Sequence, residues 1–582
     1  MNMPSSTSLL PDGMPDGRAL VDEGLAIGNA ITMGVSSMCE SHGVSSEVEY
    51  KRKMRAEGRL MTAFNIGMKT WEETASALVS IHQQCEERGF RIDRYQMQLD
   101  RRMGLPRELW DGVPKETGPM LETREQWQEV AQVVPIQPHL GDMMIGSPAS
   151  VENTVNALQA GVNYIGNMSQ FNWKYPSFPG DDVEQMAEMV KALGLMASKA
   201  EFGATVHSYL DDGYPAQFKD FCSYIGWSMF ERHIVDDCIG ARVSISYGGL
   251  THHPVTKAAM ILALETLTPP ESCNAFYHSN TTDYSLQTDS NFGIVSLDDL
   301  YMMLAQTRSA SFAATMSVPV TEPLRIPTWE EIVQVQTVAR RVARDADRLM
   351  ETLNWPMIEG LRDRLLEGGR QFFDNLLQGL EDLGVDTGDP LQMLIAVRRL
   401  GAPTIENRYG VGDRPLADAE LYHPDVPTDT FLDFVERTNQ IRKSLSGHQT
   451  PGAEHLKLVV GSTDIHEYAL FLLVEALKTL GVQAIIAGTS VDPDEFADLV
   501  LEAGADAVLV TTHNGMALTY AKALKLAFEQ SGLDVPIAMG GTLNQDVEGE
   551  PAPVDVTDDL QKLGIRVCTD IADILSIVRA AT

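Results

Sequence analysis

No apolar run in this sequence reaches the length of about 18 residues that a membrane-spanning helix needs. Cationic side chains are scarce: 45 Lys and Arg face 81 Asp and Glu, a formal charge of −36. That surplus argues against a protein that tracks a phosphate backbone or docks on anionic lipid, so neither nucleic acid nor membrane is expected as a partner. A local basic pocket stays open. The six cysteines, Cys39, Cys85, Cys222, Cys238, Cys273 and Cys568, are scattered, and none falls in a Cys-x-x-Cys pair. A disulfide framework or structural zinc site is therefore not expected, and reduced thiols in a cytoplasmic protein are. The N-terminus lacks a cationic flank followed by an apolar block, so no secretory leader is expected.

What is present is a chain of 582 residues, 44% apolar, with a mean hydropathy of −0.12. One hydrophobic core rarely serves so long a chain, so two or more domains are expected. Residues 1–45 are rich in Ser, Gly, Met and Pro, without sustained periodicity, and read as a loosely ordered arm. Over 46–330, short apolar runs alternate with amphipathic stretches. Strands are expected at 60–64, 95–99, 133–137, 163–166, 204–207, 243–247, 274–277 and 313–318, with helices between them. Such βαβ units build a parallel sheet, and about eight over roughly 260 residues match a TIM barrel. Residues 331–405 read as a helical extension, entered through Thr328 as an N-cap with Glu330 and Glu331 in the first turn. Residues 406–454, polar and holding Pro415, Pro424, Pro427 and Pro451, read as a linker or wrap. In 455–582, five apolar strands alternate with helices, a flavodoxin-like, doubly wound pattern.

Ligands on such sheets sit at the carboxyl ends of the strands. That directs attention to 462–466, 511–515 and 540–542. The first holds Asp464 and His466, spaced so that a ring nitrogen could take a metal while the carboxylate holds the other nitrogen. Thr511 and the pair Gly540 and Gly541 end neighbouring strands and leave a slot for a flat group. One metal ligand beside a slot suits a metallomacrocycle better than zinc, which takes three or four protein ligands.

Asp464-x-His466-x-x-Ala469, Thr511-x-His513 and Gly540-Gly541 resemble the Asp-x-His-x-x-Gly, Ser-x-Leu and Gly-Gly motif of cobalamin-binding domains. The resemblance implies His466 as the cobalt ligand, Asp464 as its partner, and Thr511, Gly540 and Gly541 around the dimethylbenzimidazole tail. Ala469 and His513 depart from the motif. The first domain resembles the large subunit of glutamate mutase (methylaspartate mutase), with the two subunits fused in one chain. The similar stretches, in order, are Gly146-Ser147-Pro148, Ser246-Tyr247-Gly248, Tyr277-His278, Phe292-Gly293-Ile294, Glu322 with Ile326-Pro327-Thr328, and Asn407-Arg408-Tyr409.

That resemblance implies an adenosylcobalamin-dependent radical carbon-skeleton mutase, with Glu322 near the adenosyl group and His278 and Asn167 at catalytic positions. Asn65, Arg101 and Met144 fall where the family has three carboxylate-gripping arginines. Asn167 replaces its glutamate base, Trp173 a tyrosine and Val318 a lysine. The lost charge-assisted contacts point to a small acid or amino acid other than glutamate, with Arg101 able to hold one carboxylate. A cytoplasmic homodimer is implied. A non-catalytic cobalamin sensor or carrier and a corrinoid methyltransferase are the alternatives. The paired acids Asp211-Asp212 and Asp236-Asp237 read as solvated loop residues.

Overall fold

In the computed structural model the described residues are 9–113, 115, 118–175, 177–414, 422–448, 452–464, 467–513, 515–545, 547 and 553–581. The chain is an α/β protein of two compact units, the first reaching to Asp429 and the second starting at Thr430. Among the described residues no helix is long and apolar enough to cross a membrane.

The first unit is built on eight parallel strands: β1 Met61–Ile66, β2 Arg94–Met97, β3 Gln137–Leu140, β4 Tyr164–Gly166, β5 Thr205–Tyr209, β6 Val243–Ser246, β7 Phe276–His278 and β8 Ala314–Met316. Their order, 6-5-4-3-2-1-8-7, runs from neighbour to neighbour around a nearly closed ring. The seam between β6 and β7 has a single bridge, Tyr247 to Tyr277, where the His278 N–H donates to the Tyr247 carbonyl at 2.9 Å. Side chains stitch the rest: Asn274 Oδ1 accepts from the Ile245 amide at 3.0 Å, and Ser246 Oγ from the Phe276 amide at 3.4 Å. Almost every strand residue is buried on both faces, as expected where helices cover a parallel sheet. Strand β3 starts later than the apolar pattern suggests. Val133 still donates to Glu129, at the end of helix Arg124–Val130, and Pro135 has no N–H to give a ladder.

A charged plug fills the barrel at the strand N-termini. Glu47 and Lys51 lie on helix Glu47–Ala56, and Arg94 opens β2; all three are 1% exposed. Glu47 Oε1 sits 3.0 Å from Arg94 Nη2 and 3.6 Å from Lys51 Nζ. Lys51 also donates to the carbonyls of Asn274 and Ala275, at 2.5 and 3.3 Å. Both cations lie over the Tyr164 ring, at 4.4 and 4.7 Å from its centre. Burial is the main reason that Lys51 is pushed down to about 8. Inside the barrel, His139 and His207 meet edge to face at 4.2 Å, and burial holds both far below the usual histidine range, hence neutral.

The N-terminal segment differs from the loose arm expected. Helix Gly17–Ala30 packs on helix Asp182–Ser198 at backbone distance: a Cβ on Gly24 would lie 2.0 Å from the Lys191 carbonyl oxygen. The glycines that make the segment look irregular are what allow this contact. The region expected as a linker is likewise structured in part. Helix Ala402–Tyr409 belongs to the first unit, whereas helix Asp429–Leu445 sends Ile441 and Leu445 into the core of the second.

Glu406, on helix Ala402–Tyr409, is buried and takes the amide protons of Lys219 and Asp220 at 2.9–3.0 Å. Burial pushes its carboxyl up to about 8 from the usual 4.5. The folded chain therefore keeps this proton across a window in which the unfolded chain has lost it. Stability from the group is complete below pH 4.5 and is lost as pH rises through 8. Glu406→Gln is expected to gain melting temperature on the unsubstituted protein as pH rises from 4.5 to 8, followed by circular dichroism. Parallel melting curves across that range would contradict it.

The second unit carries strands β9 Lys457–Ser462, β10 Gln483–Gly488, β11 Ala507–Thr512 and β12 Ile537–Gly541. A small antiparallel ladder of β13 Asn544–Gln545 and β14 Val554–Asp555 follows, then β15 Arg566–Cys568. The five main strands are parallel in the order β10-β9-β11-β12-β15, which is flavodoxin-like. Alternation along β9 explains the two-layer burial. Leu458 and Val460 join Leu477 and Ile577 on one face, and Val459 joins Phe496 and Leu524 on the other.

Candidate functional site

At the carboxyl end of the barrel the loops enclose a cavity of about 500 Å³. Barrel enzymes place their chemistry at this end, because the loops there are free of the job of holding the sheet. Of the residues singled out in the sequence, Asn65, His278, Val318, Glu322, Ile326 and Pro327 line it together. His278 Nδ1 lies 2.7 Å from the Ser279 carbonyl, which fixes the proton on Nδ1. Nε2 is then an acceptor and takes the Asn65 amide at 3.0 Å. Burial above all pushes His278 down to about 4, so the ring is neutral at physiological pH. Glu322 stands exposed at the rim, its N–H donating to the Pro319 carbonyl.

Four other candidates are not among the lining residues. Asn167 is fully buried, and its Oδ1 takes the amides of Ser169 and Tyr209 at 3.1 and 2.9 Å, so it ties the ends of β4 and β5 together. Met144 is core. Arg101 is 5% exposed in the turn Arg101–Gly104 after β2. Trp173 presents its carbonyl to Gln185 Nε2 at 3.1 Å and Arg398 Nη2 at 3.4 Å.

The cavity also contains residues that the sequence reading passed over. Asp211, expected to be solvated, is 7% exposed, and its Oδ2 accepts the amides of Gly248 and Leu250. Asp142 and Asp212 share Gln170, whose Nε2 reaches both at 2.8 and 2.7 Å, and Asp142 takes Gln96 Nε2 at 3.3 Å. Burial, then repulsion from Asp212, pushes Asp142 up to about 7; burial pushes Asp211 up to about 6. The available signal was position: Asp211 and Asp212 directly follow β5. Asp236, by contrast, is a local clamp, bonding Arg232 and the Val243 amide.

In the second unit the carboxyl ends of β9, β11 and β12 come together by register, Thr511 pairing with both Ser462 and Gly540. Asp464 is 4% exposed and accepts the His513 amide at 2.7 Å and the Thr463 hydroxyl at 3.2 Å. His466 lies outside the described residues. Ala469, where the motif has glycine, is exposed on helix Tyr468–Thr479, so its methyl occupies no interior space. His513 is exposed, with Nδ1 3.2 Å from the Thr542 hydroxyl.

Two features test the fit of a large flat cofactor here. Thr511 is 7% exposed, yet among the described residues its Oγ1 has no hydrogen-bond partner, and a buried unsatisfied hydroxyl calls for a ligand or water. Gly541 has φ +102°, and a Cβ there would lie 2.3 Å from the Thr512 carbonyl oxygen, so only glycine fits where this strand ends. The Thr511 hydroxyl fits the group that the motif implies, whereas Gly541 answers to its own strand neighbour and His466 lies outside the described residues.

No protein-family model and no curated protein matches this chain. Among solved structures it is similar to a cobalamin-binding protein from Desulfitobacterium hafniense DCB-2, at 16% identity over 26% of this chain and 70% of that one, with a TM-score of 0.20. It is also similar to the carboxyl transferase domain of Rhizobium etli pyruvate carboxylase, solved with pyruvate. That match has 11% identity over 78% of this chain and 82% of the other, with a TM-score of 0.30. At these scores neither likeness bears on function.

Proposed function

We propose that this chain is an enzyme, an adenosylcobalamin-dependent carbon-skeleton mutase acting on a small acid or amino acid other than glutamate, working as a cytoplasmic homodimer. The observation that supports the reading is the convergence of buried Asp464, Thr511 Oγ1, which has no partner among the described residues, and Gly541, each at a position of the cobalamin motif. His466 would supply the imidazole to cobalt. Asp464 would hold the far ring nitrogen and raise the basicity of the near one. Thr511 and Gly540-Gly541 would line the space for the nucleotide tail. When bound, the cofactor supplies homolytic hydrogen abstraction, which no side chain provides.

The chain's own residues do the rest. The barrel cavity would hold the substrate. Neutral His278 accepts from the Asn65 amide, and that pair orients the substrate; with its Nδ1–H held by the Ser279 carbonyl, the ring gives up no proton to it at neutral pH. Asn167 keeps two strand ends in register beneath the chamber. Glu322 would meet the adenosyl group at the rim.

The test is anaerobic incubation of the purified chain with adenosylcobalamin and a panel of small acids and amino acids. A paramagnetic resonance signal that appears only on adding one of them is expected. Failure to take up any corrinoid sinks the proposal, as does uptake with no signal across the panel.

A further inference from the structure

Among the described residues that line the barrel cavity, the buried polar atoms without a partner are Asn65 Oδ1, Gln96 Oε1 and Asp211 Oδ1, all acceptors. Their orientations are set by their other bonds. The Asn65 amide nitrogen faces His278 Nε2, which is an acceptor because Nδ1–H is committed to the Ser279 carbonyl. The Gln96 nitrogen faces the Asp142 carboxylate. Asp211 spends Oδ2 on two backbone amides and leaves Oδ1. Asp142 and Asp212 add two carboxylates to the same wall. The lining guanidinium, Arg325, is held by both oxygens of Glu331 at 2.7 and 2.9 Å. No group of three or more His, Cys, Asp or Glu among the described residues is arranged to hold a metal ion.

A chamber of unpaired acceptors and desolvated carboxylates repels a dicarboxylate and matches a cation with several N–H donors. We propose that the cavity binds a protonated primary amine, with Asp211 Oδ1, Asn65 Oδ1 and Gln96 Oε1 accepting its N–H groups and Asp142 and Asp212 balancing its charge. Its role as a substrate chamber rests on the function proposed above; the binding itself does not. The raised carboxyl of Asp142 agrees with this: burial and the Asp212 charge push it up, and a bound ammonium would offset both.

Calorimetric titration of the cofactor-free full chain with cadaverine and with glutarate, a dicarboxylate of equal chain length, tests this. Saturable cadaverine binding and no glutarate binding are expected. Asp211→Asn preserves the acceptor facing Gly248 and Leu250 but turns an N–H toward the cavity. It is expected to weaken cadaverine by about tenfold or more, or about 1.4 kcal/mol. Asp142→Asn is expected to act in the same direction, and thermal melts of both variants report whether they fold. Glutarate binding more tightly, no saturable amine binding, or an unchanged affinity in folded Asp211→Asn overturns the proposal; the last would mean diffuse attraction to the −36 charge. Corrinoid uptake, read by visible absorption on the same protein, reports on the mutase reading separately.

Discussion

His466→Gly is expected to remove corrinoid binding in the histidine-ligated form and to take turnover below detection. Glycine keeps the chain length and takes away the imidazole. The visible spectrum reports loss of the nitrogen ligand, because a corrinoid with water in that place absorbs differently, and nitrogen hyperfine splitting of the cob(II)alamin signal in protein carrying isotope-labelled histidine separates histidine from the cofactor's own base. Asp464→Asn is the companion. An amide can still accept from the His513 amide and the Thr463 hydroxyl, which Asp464 binds. It cannot hold an imidazole N–H as strongly as a carboxylate does, so corrinoid affinity should fall by about 10- to 100-fold. If the unsubstituted protein's signal does not respond to labelled histidine, or His466→Gly binds adenosylcobalamin with both readouts unchanged, the assignment of His466 is wrong, whatever the barrel does.

Glu47→Ala should cost about 3 to 5 kcal/mol of barrel stability, the range for removing one partner of a buried ion pair. Glu47 is the carboxylate against which both Arg94 and Lys51 are set, and all three side chains are almost wholly enclosed. Its loss leaves two cations 4.4 and 4.7 Å from one aromatic ring centre, with only that ring and two carbonyls as named compensation for Lys51. Lys51 would be driven to give up its proton. Glu47→Gln should cost less, because it keeps an oxygen acceptor. Urea unfolding followed by tyrosine and tryptophan fluorescence measures the difference. The two units need not melt together, so the comparison belongs to the barrel transition. A cost of less than about 1 kcal/mol for Glu47→Ala would mean that the plug is solvated and contributes little.

The strands were legible because a parallel sheet covered on both faces writes short, continuous apolar runs, and all thirteen expected runs contain or adjoin an observed strand. Boundaries slipped where apolar residues served a neighbouring helix end, as Val133 does before β3. The Gly17–Ala30 helix was hidden because its packing depends on glycine, which propensity counts against a helix. In the candidate sites, short motifs at strand ends were readable: Asp464, Thr511 and Gly540-Gly541 fall together because register puts them there. The acidic lining was not. Asp211 looks like any loop aspartate until β6 delivers the Gly248 amide to it, and Gln96 and Asp142 meet only through strand neighbours far apart in sequence.

The joint between β6 and β7 has an evolutionary corollary. Elsewhere around the cylinder main-chain ladders hold neighbours together, and those are indifferent to which residue occupies a position. Here, beside one main-chain bond, Asn274 and Ser246 do that work with their side chains. The ring is thus vulnerable to ordinary point substitution at one place, directly beneath Gly249 and His278, so drift at two unremarkable polar positions could remodel the chamber without touching any residue that lines it.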